Sequence, residues 1–171
     1  DLVEAPLAIP STHPIRNAGG GGCRFTENGR ITVTNALAVS CNTAFVKLAE
    51  RIGWPRVRDT ARDLGFVIGS PTPGRVDPAW VAGARIGVDS RVPENVVQDD
   101  LGNNVLGGDR VVGTPLQMAT VMGAIAGDGR AVQPSLLTTA PGGTREALGA
   151  GTVAKLRQAL SRTTAEGGTA H

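Results

Sequence analysis

The chain has 171 residues, 40% of them apolar, and a formal charge of +2, enough length and hydrophobicity to bury a core. Its 17 basic residues, of which only Lys47 and Lys155 are lysines, are scattered rather than striped, which argues against a nucleic-acid surface. No apolar run reaches the ~18 residues that a membrane span needs, and no signal peptide is visible at Asp1.

Residues 1–30 carry Pro6, Pro10, Pro14 and the glycines at 19–22 and read as extended loop, with Asn28-Gly29 as a turn. Ala36, Leu37, Ala38 and Val39 form a short apolar turn with Thr34 or Asn35 as its cap. Ser40-Cys41-Asn42 follows, a run of small polar side chains between two apolar segments. Beyond it Phe45, Leu48, Ala49 and Ile52 fall at i, i+3, i+4 and i+7, the inward face of a helix that Thr43 caps and Gly53 ends. A hydroxyl and an amide held at a corner between two helices can be aimed into a cleft, which is the setting that catalytic polar groups need.

Pro55 opens a further helix that turns Val57, Ala61 and Leu64 inward and stops at Gly65. Residues 66–95 hold Pro71, Pro73, Pro78 and Pro93 and read as irregular surface structure, with a short element near Trp80. The Asp99-Asp100 pair reads as a solvated loop. Thr114-Pro115-Leu116-Gln117 has capping-box spacing, with the Gln side chain expected to close back on the backbone. The helix it opens is expected to bury Leu116, Ala119, Met122 and Ile125 or Ala126 and to end at Gly127, before an Asp128-Gly129 turn. Small residues at Ala119, Gly123 and Ala126 allow another helix to approach. A short edge strand is expected over 131–137, and a last helix capped by Thr152 with Val153, Leu156 and Leu160 on one side.

Two cysteines, Cys23 and Cys41, are too few for a zinc site, and His13 and His171 stand at no familiar ligand spacing, so neither metal nor cofactor is expected. A Cys23–Cys41 disulfide would clamp the loop before the first helix onto the Ser-Cys-Asn corner and imply an oxidising, extracytoplasmic compartment. The alternative is two unpaired thiols, one of them in the core.

Leu37-Ala38-Val39-Ser40-Cys41-Asn42-Thr43-Ala44-Phe45, with Gly113-Thr114-Pro115-Leu116-Gln117-Met118-Ala119 about seventy residues later, resembles the transpeptidase domain of penicillin-binding proteins. The resemblance spans residues 15–170 and implies an α+β fold of the penicillin-binding protein and serine β-lactamase kind, of which this chain would hold the predominantly helical portion. It implies one partial domain over 1–171: a loop-rich start at 1–30, helices around the S-x-N motif at 31–65, irregular loops at 66–113, and the Thr-Pro-Leu-Gln-Met-Ala helix with the C-terminal helix at 114–171.

The resemblance also implies roles. In the family, a serine activated by a lysine attacks a D-Ala-D-Ala carbonyl, and a second peptidoglycan strand resolves the acyl-enzyme. Ser40 would be the catalytic proton relay and Asn42 the substrate-binding carboxamide. Cys41 would be structural. No serine of the chain has lysine three residues on, and neither lysine starts a K-T-G, so the nucleophile and the strand beside it are expected outside these residues. Gly167-Gly168-Thr169-Ala170 resembles the segment just before that strand, and Gly108 departs from the Gln that many relatives carry. The implied partners are peptidoglycan stem peptides and β-lactams, in an extracytoplasmic, membrane-anchored parent protein. The isolated chain is expected to be inactive and to homodimerise through apolar surface bared around Ala38 and Ala119. Two other readings stand beside this one: a non-catalytic transpeptidase-like scaffold, and a serine β-lactamase of the same fold, against which the Thr-Pro-Leu-Gln-Met-Ala helix speaks.

Overall fold

A computed structural model describes residues 2–69, 90–134 and 143–171; the element expected near Trp80 and the end of the strand expected over 131–137 lie outside these residues. The chain divides into two compact units, the first made of Asp1–Val57, Val96–Asp109 and Ala154–His171, the second of Arg58–Asn95 and Arg110–Val153.

In the first unit β1 (Leu2–Glu4) pairs antiparallel with β4 (Arg30–Thr32), and β2 (Ala8–Ile9) with β3 (Ile15–Arg16). The stretch read as loop thus contains three short strands. Its prolines fall in the connections, where a missing N–H costs the ladder nothing. Val3 and Ile31, opposite each other in the β1–β4 ladder, are among the most deeply buried side chains. Asn28-Gly29 is a two-residue hairpin turn with φ of 51° and 72°, closed by paired backbone bonds of 2.9 and 3.0 Å between Glu27 and Arg30.

Helix α1 (Val33–Ala38) starts directly from β4, and its cap is Thr32, whose Oγ1 accepts from the Asn35 N–H at 3.1 Å, rather than Thr34 or Asn35. Helix α2 (Asn42–Ile52) buries Thr43, Ala44, Val46 and Ala49, leaves Phe45 and Leu48 half-buried and exposes Ile52. The inward face is therefore turned from the large apolar residues to the small ones. Close neighbours explain this. On the short helix α4 (Leu101–Val105) a Cβ added at Gly102 would collide with the Ile15 side chain and come within 3.2 Å of Val46, so only small groups fit where these elements meet. Gly53 ends α2 at φ 80°, its N–H on the Ala49 carbonyl at 2.8 Å. Helix α3 (Trp54–Asp63) follows, beginning with the buried Trp54.

Asp99, read as part of a solvated loop, is exposed but bonded: its carboxylate accepts from the Thr12 N–H at 3.1 Å and from the Thr12 hydroxyl. These bonds from Thr12, side chain first, hold the carboxyl below the ordinary aspartate range. Asp99 also lines a cleft of about 250 Å³ together with Ile9, Ile15, Val46 and Leu101.

In the second unit β5 (Val67–Ile68) and β6 (Arg91–Val92) pair in parallel, and β7 (Arg130–Val132) pairs antiparallel with β8 (Thr144–Glu146). Helix α5 (Pro115–Ala126) is capped by Thr114, whose Oγ1 accepts from the Gln117 N–H at 3.1 Å. The Thr114 N–H in turn donates to the buried Ser90 hydroxyl at 2.9 Å. Gln117 does not close a capping box; its Nε2 donates to the Leu64 carbonyl at 2.7 Å, filling the space beside Gly65. Helix α5 buries Gln117 and Ala124 and exposes Ala119, Met118 and Met122, and among the described residues nothing lies within 4 Å of a Cβ built at Gly123, so no described helix packs on the small residues there. Helix α6 (Ala150–Ser161), which belongs to the first unit from Ala154 on, begins before Thr152 and buries Val153 and Ala159, with Leu156 and Leu160 only half-buried.

Candidate active-site corner

The end of α1 determines how the Ser-Cys-Asn run is presented. The Ser40 N–H donates to the Leu37 carbonyl at 3.2 Å and the Cys41 N–H to the Ala36 carbonyl at 2.9 Å. Those two bonds, with Ser40 at φ 52°, make a Schellman motif whose left-handed position, usually glycine, is a serine. Ala36 and Cys41, the residues such a motif brings together, share one buried cluster with Ala5, Cys23, Ile31 and Ala44. Turning the chain in so few residues leaves Ser40 exposed between the half-buried Val39 and the buried Cys41. Its hydroxyl makes no hydrogen bond among the described residues and is free both to donate and to accept.

Cys41 is bonded to Cys23, with the two Cα atoms 5.6 Å apart, and its side chain is fully buried. The disulfide anchors the middle residue of the motif inward, between the exposed Ser40 and the half-buried Asn42. The tail of the chain holds the same corner from another side. Thr169 donates from its N–H (3.0 Å) and its hydroxyl (3.3 Å) to the Ala38 carbonyl, and Arg24 donates to the Gly167 carbonyl at 2.6 Å. Ala38, expected to be bared, is buried beside this contact.

Asn42 is the first residue of α2, and its Nδ2 donates to the Arg16 carbonyl at 3.0 Å. A carbonyl can only accept, so the orientation of the amide is fixed, and its Oδ1 is left without a partner among the described residues. Thr43, read as the helix cap, lies inside the helix and is fully buried. Asn17 performs the capping instead. Its Oδ1 accepts from the Thr43 N–H at 3.1 Å and from the Thr43 hydroxyl at 3.3 Å, while its Nδ2 donates to the Gly21 carbonyl at 3.2 Å. A cap borrowed from 26 residues upstream leaves no local signal, and sequence reading missed it. Among the described residues no group of three metal-ligating side chains gathers at this corner or elsewhere.

A free hydroxyl and an oriented carboxamide, two residues apart on a corner pinned by a disulfide, fit the second active-site motif of serine acyltransferases of the penicillin-recognising kind. Residues 22–171 match the model of the penicillin binding protein transpeptidase domain, and the chain belongs to that family. It is 32% identical over 143 residues to the peptidoglycan D,D-transpeptidase PbpA of Mycobacterium tuberculosis, covering 82% of this chain and 27% of that protein. Against PbpA of Mycolicibacterium smegmatis the identity is 32% over 164 residues, 94% of this chain and 30% of that protein. The chain therefore spans less than a third of the length of the curated relatives it matches. Among solved structures it is similar to penicillin-binding protein A from M. tuberculosis in its imipenem acyl-enzyme complex, with a TM-score of 0.75 at 27% identity over 95% of this chain and 38% of that one. The penicillin-binding protein PBP2 from Helicobacter pylori superposes with a TM-score of 0.68 at 19% identity, over 97% of this chain and 31% of that one, a likeness of fold alone. The fold is the α+β transpeptidase fold.

Proposed function

We propose that this chain is the S-x-N-bearing part of a peptidoglycan D,D-transpeptidase domain, and that it lines one wall of the cleft in which stem peptides are cross-linked through an acyl-serine. In this reading a serine outside these residues, deprotonated by a lysine, attacks the D-Ala-D-Ala carbonyl. The tetrahedral intermediate collapses with cleavage of the C–N bond, and Ser40 passes the proton to the departing D-Ala nitrogen. The amine of a second strand then takes the acyl group, and Ser40 carries the proton back. Asn42 accepts from a substrate N–H through the Oδ1 that Arg16 leaves free, an orienting contact. β-Lactams, whose ring amide stands where the scissile bond lies, would acylate the same serine.

The observation that carries the reading is a Ser40 hydroxyl without a partner among the described residues, two positions from an Asn42 carboxamide whose Oδ1 is likewise left open among them. The Cys23–Cys41 bond supports an extracytoplasmic location, since such bonds persist in oxidising compartments. Exposed Met118, Ala119 and Met122 form an apolar stripe on α5 that supports self-association of the isolated chain. Incubation with a fluorescent penicillin followed by denaturing electrophoresis tests the function. The 171-residue chain should stay unlabelled, and a longer polypeptide that adds the Ser-x-x-Lys and K-T-G segments should label. A labelled band at the mass of the short chain, or none from the longer one, overturns the proposal.

A further inference from the structure

We propose that Asn17 is a positioning residue for the transpeptidase reaction, acting through Asn42; this rests on the reading of Asn42 as the carboxamide that holds substrate. Asn17 is 8% exposed and uses both ends of its amide, accepting twice from Thr43 and donating once to the Gly21 carbonyl. This pattern caps α2 and satisfies the buried Thr43 hydroxyl, but it reaches further. Its consequence lies one residue back. Asn17 and Arg16 share a peptide unit, so fixing the Asn17 side chain on Thr43 fixes the backbone that aims the Arg16 carbonyl at Asn42 Nδ2. Asn42 and Thr43 are adjacent as well. The two contacts form a closed ring of Arg16, Asn17, Thr43 and Asn42, and the side chain left projecting from it is the carboxamide of Asn42, with Oδ1 outward.

Without Asn17 the end of β3 stays paired with Ala8 but loses its tie to the start of α2, so the Arg16 carbonyl and Asn42 Nδ2 are no longer held in register, and the freed amide presents N–H as readily as C=O to the substrate. Loss of this preorganisation falls on substrate capture and acylation rather than on the serine's own chemistry. Asn17 touches neither the nucleophile nor the substrate, so its effect should vanish once Asn42 is gone.

The test uses the longer polypeptide that labels with fluorescent penicillin, with the second-order acylation rate and the melting temperature measured for Asn17→Ala, Asn17→Asp, Asn42→Ala and the double variant Asn17→Ala/Asn42→Ala. Asn17→Ala should acylate about tenfold to a hundredfold more slowly at a temperature well below its own melting point. Asn17→Asp, which keeps both acceptor bonds to Thr43, should recover most of that rate. The double variant should acylate as slowly as Asn42→Ala and no slower. A normal rate for folded Asn17→Ala, or rate losses that multiply in the double variant, overturns the proposal. A normal rate for Asn42→Ala overturns instead the reading of Asn42 on which it rests. If Asn17→Ala does not fold, Asn17→Ser, whose shorter side chain stays polar but cannot bridge to Thr43, takes its place, and acylation at the wild-type rate by that variant overturns the proposal equally.

Discussion

Replacing Ser40 by glycine removes the hydroxyl that the relay needs and relaxes the backbone that presents it, so stability and activity should move in opposite directions. Ser40 holds φ 52° at the left-handed position of the motif that ends α1. A residue with a Cβ gives up about 1–2 kcal/mol there relative to the right-handed region. Glycine escapes that strain but loses about 0.5–1 kcal/mol more chain entropy on folding. The difference leaves Ser40→Gly about 0.5–1 kcal/mol more stable, a rise of roughly 2–3 °C in Tm for a chain of this size. Ser40→Ala keeps the strain and deletes a hydroxyl that bonds to nothing described, so its melting point should stay close to that of the parent. Both variants should acylate with penicillin about a hundredfold more slowly in the longer polypeptide, the scale of a lost general acid–base group. Differential scanning calorimetry of the three proteins and stopped-flow labelling check the two halves. A glycine variant that melts below the wild type refutes the strain argument, and undiminished acylation by the alanine variant refutes the relay.

Reducing the Cys23–Cys41 bond, which closes a loop of 18 residues, should cost about 3 kcal/mol by the loop-entropy relation, seen as an earlier denaturant midpoint with dithiothreitol; an unmoved midpoint would contradict it. Gly129→Ala should lose about 2–3 kcal/mol, because the residue sits at φ 87° and its Cβ would collide with the Leu148 carbonyl; a variant as stable as the parent in urea would contradict the turn between α5 and β7 and its close approach to Leu148. Asp99 titrates below its unfolded value, so its contribution to stability is complete above the ordinary aspartate pKa and is lost as pH falls through the lowered one. Thr12→Val should move that titration upward in a carboxyl NMR experiment, and an unshifted curve would remove Thr12 as the cause.

The parts of the fold carried by local chemistry were readable from the residues. Thr114 caps α5 through its own hydroxyl, Gly53 turns out of α2, and Asn28-Gly29 makes the hairpin that its dipeptide predicts. What escaped was set by neighbours distant in the chain. The inward stripe of α2 looked large and apolar because spacing alone cannot show that Gly102 brings another helix close against Val46, that Ala44 packs on Ala5, Cys23 and Ile31, or that Asn17 claims Thr43. Gln117 matched a local capping box, yet the Leu64 carbonyl, 53 residues away, claimed its amide. At the candidate site, Ser40 and Asn42 were singled out through family resemblance. Neither the left-handed backbone of Ser40 nor the service of Asn17 could be read there, since the first arises from helix termination and the second from a tertiary contact.

The central claim is that the Ser40 hydroxyl and the Asn42 carboxamide face the acylated serine, and the structure of the penicillin acyl-enzyme of the longer polypeptide tests it most directly. The account predicts Asn42 Oδ1 within about 3 Å of the amide N–H of the penicillin side chain, and the Ser40 hydroxyl within about 3.5 Å of the opened ring nitrogen. An acyl group bound with both side chains out of reach, or with Asn42 turned so that its Nδ2 has left the Arg16 carbonyl, would contradict it.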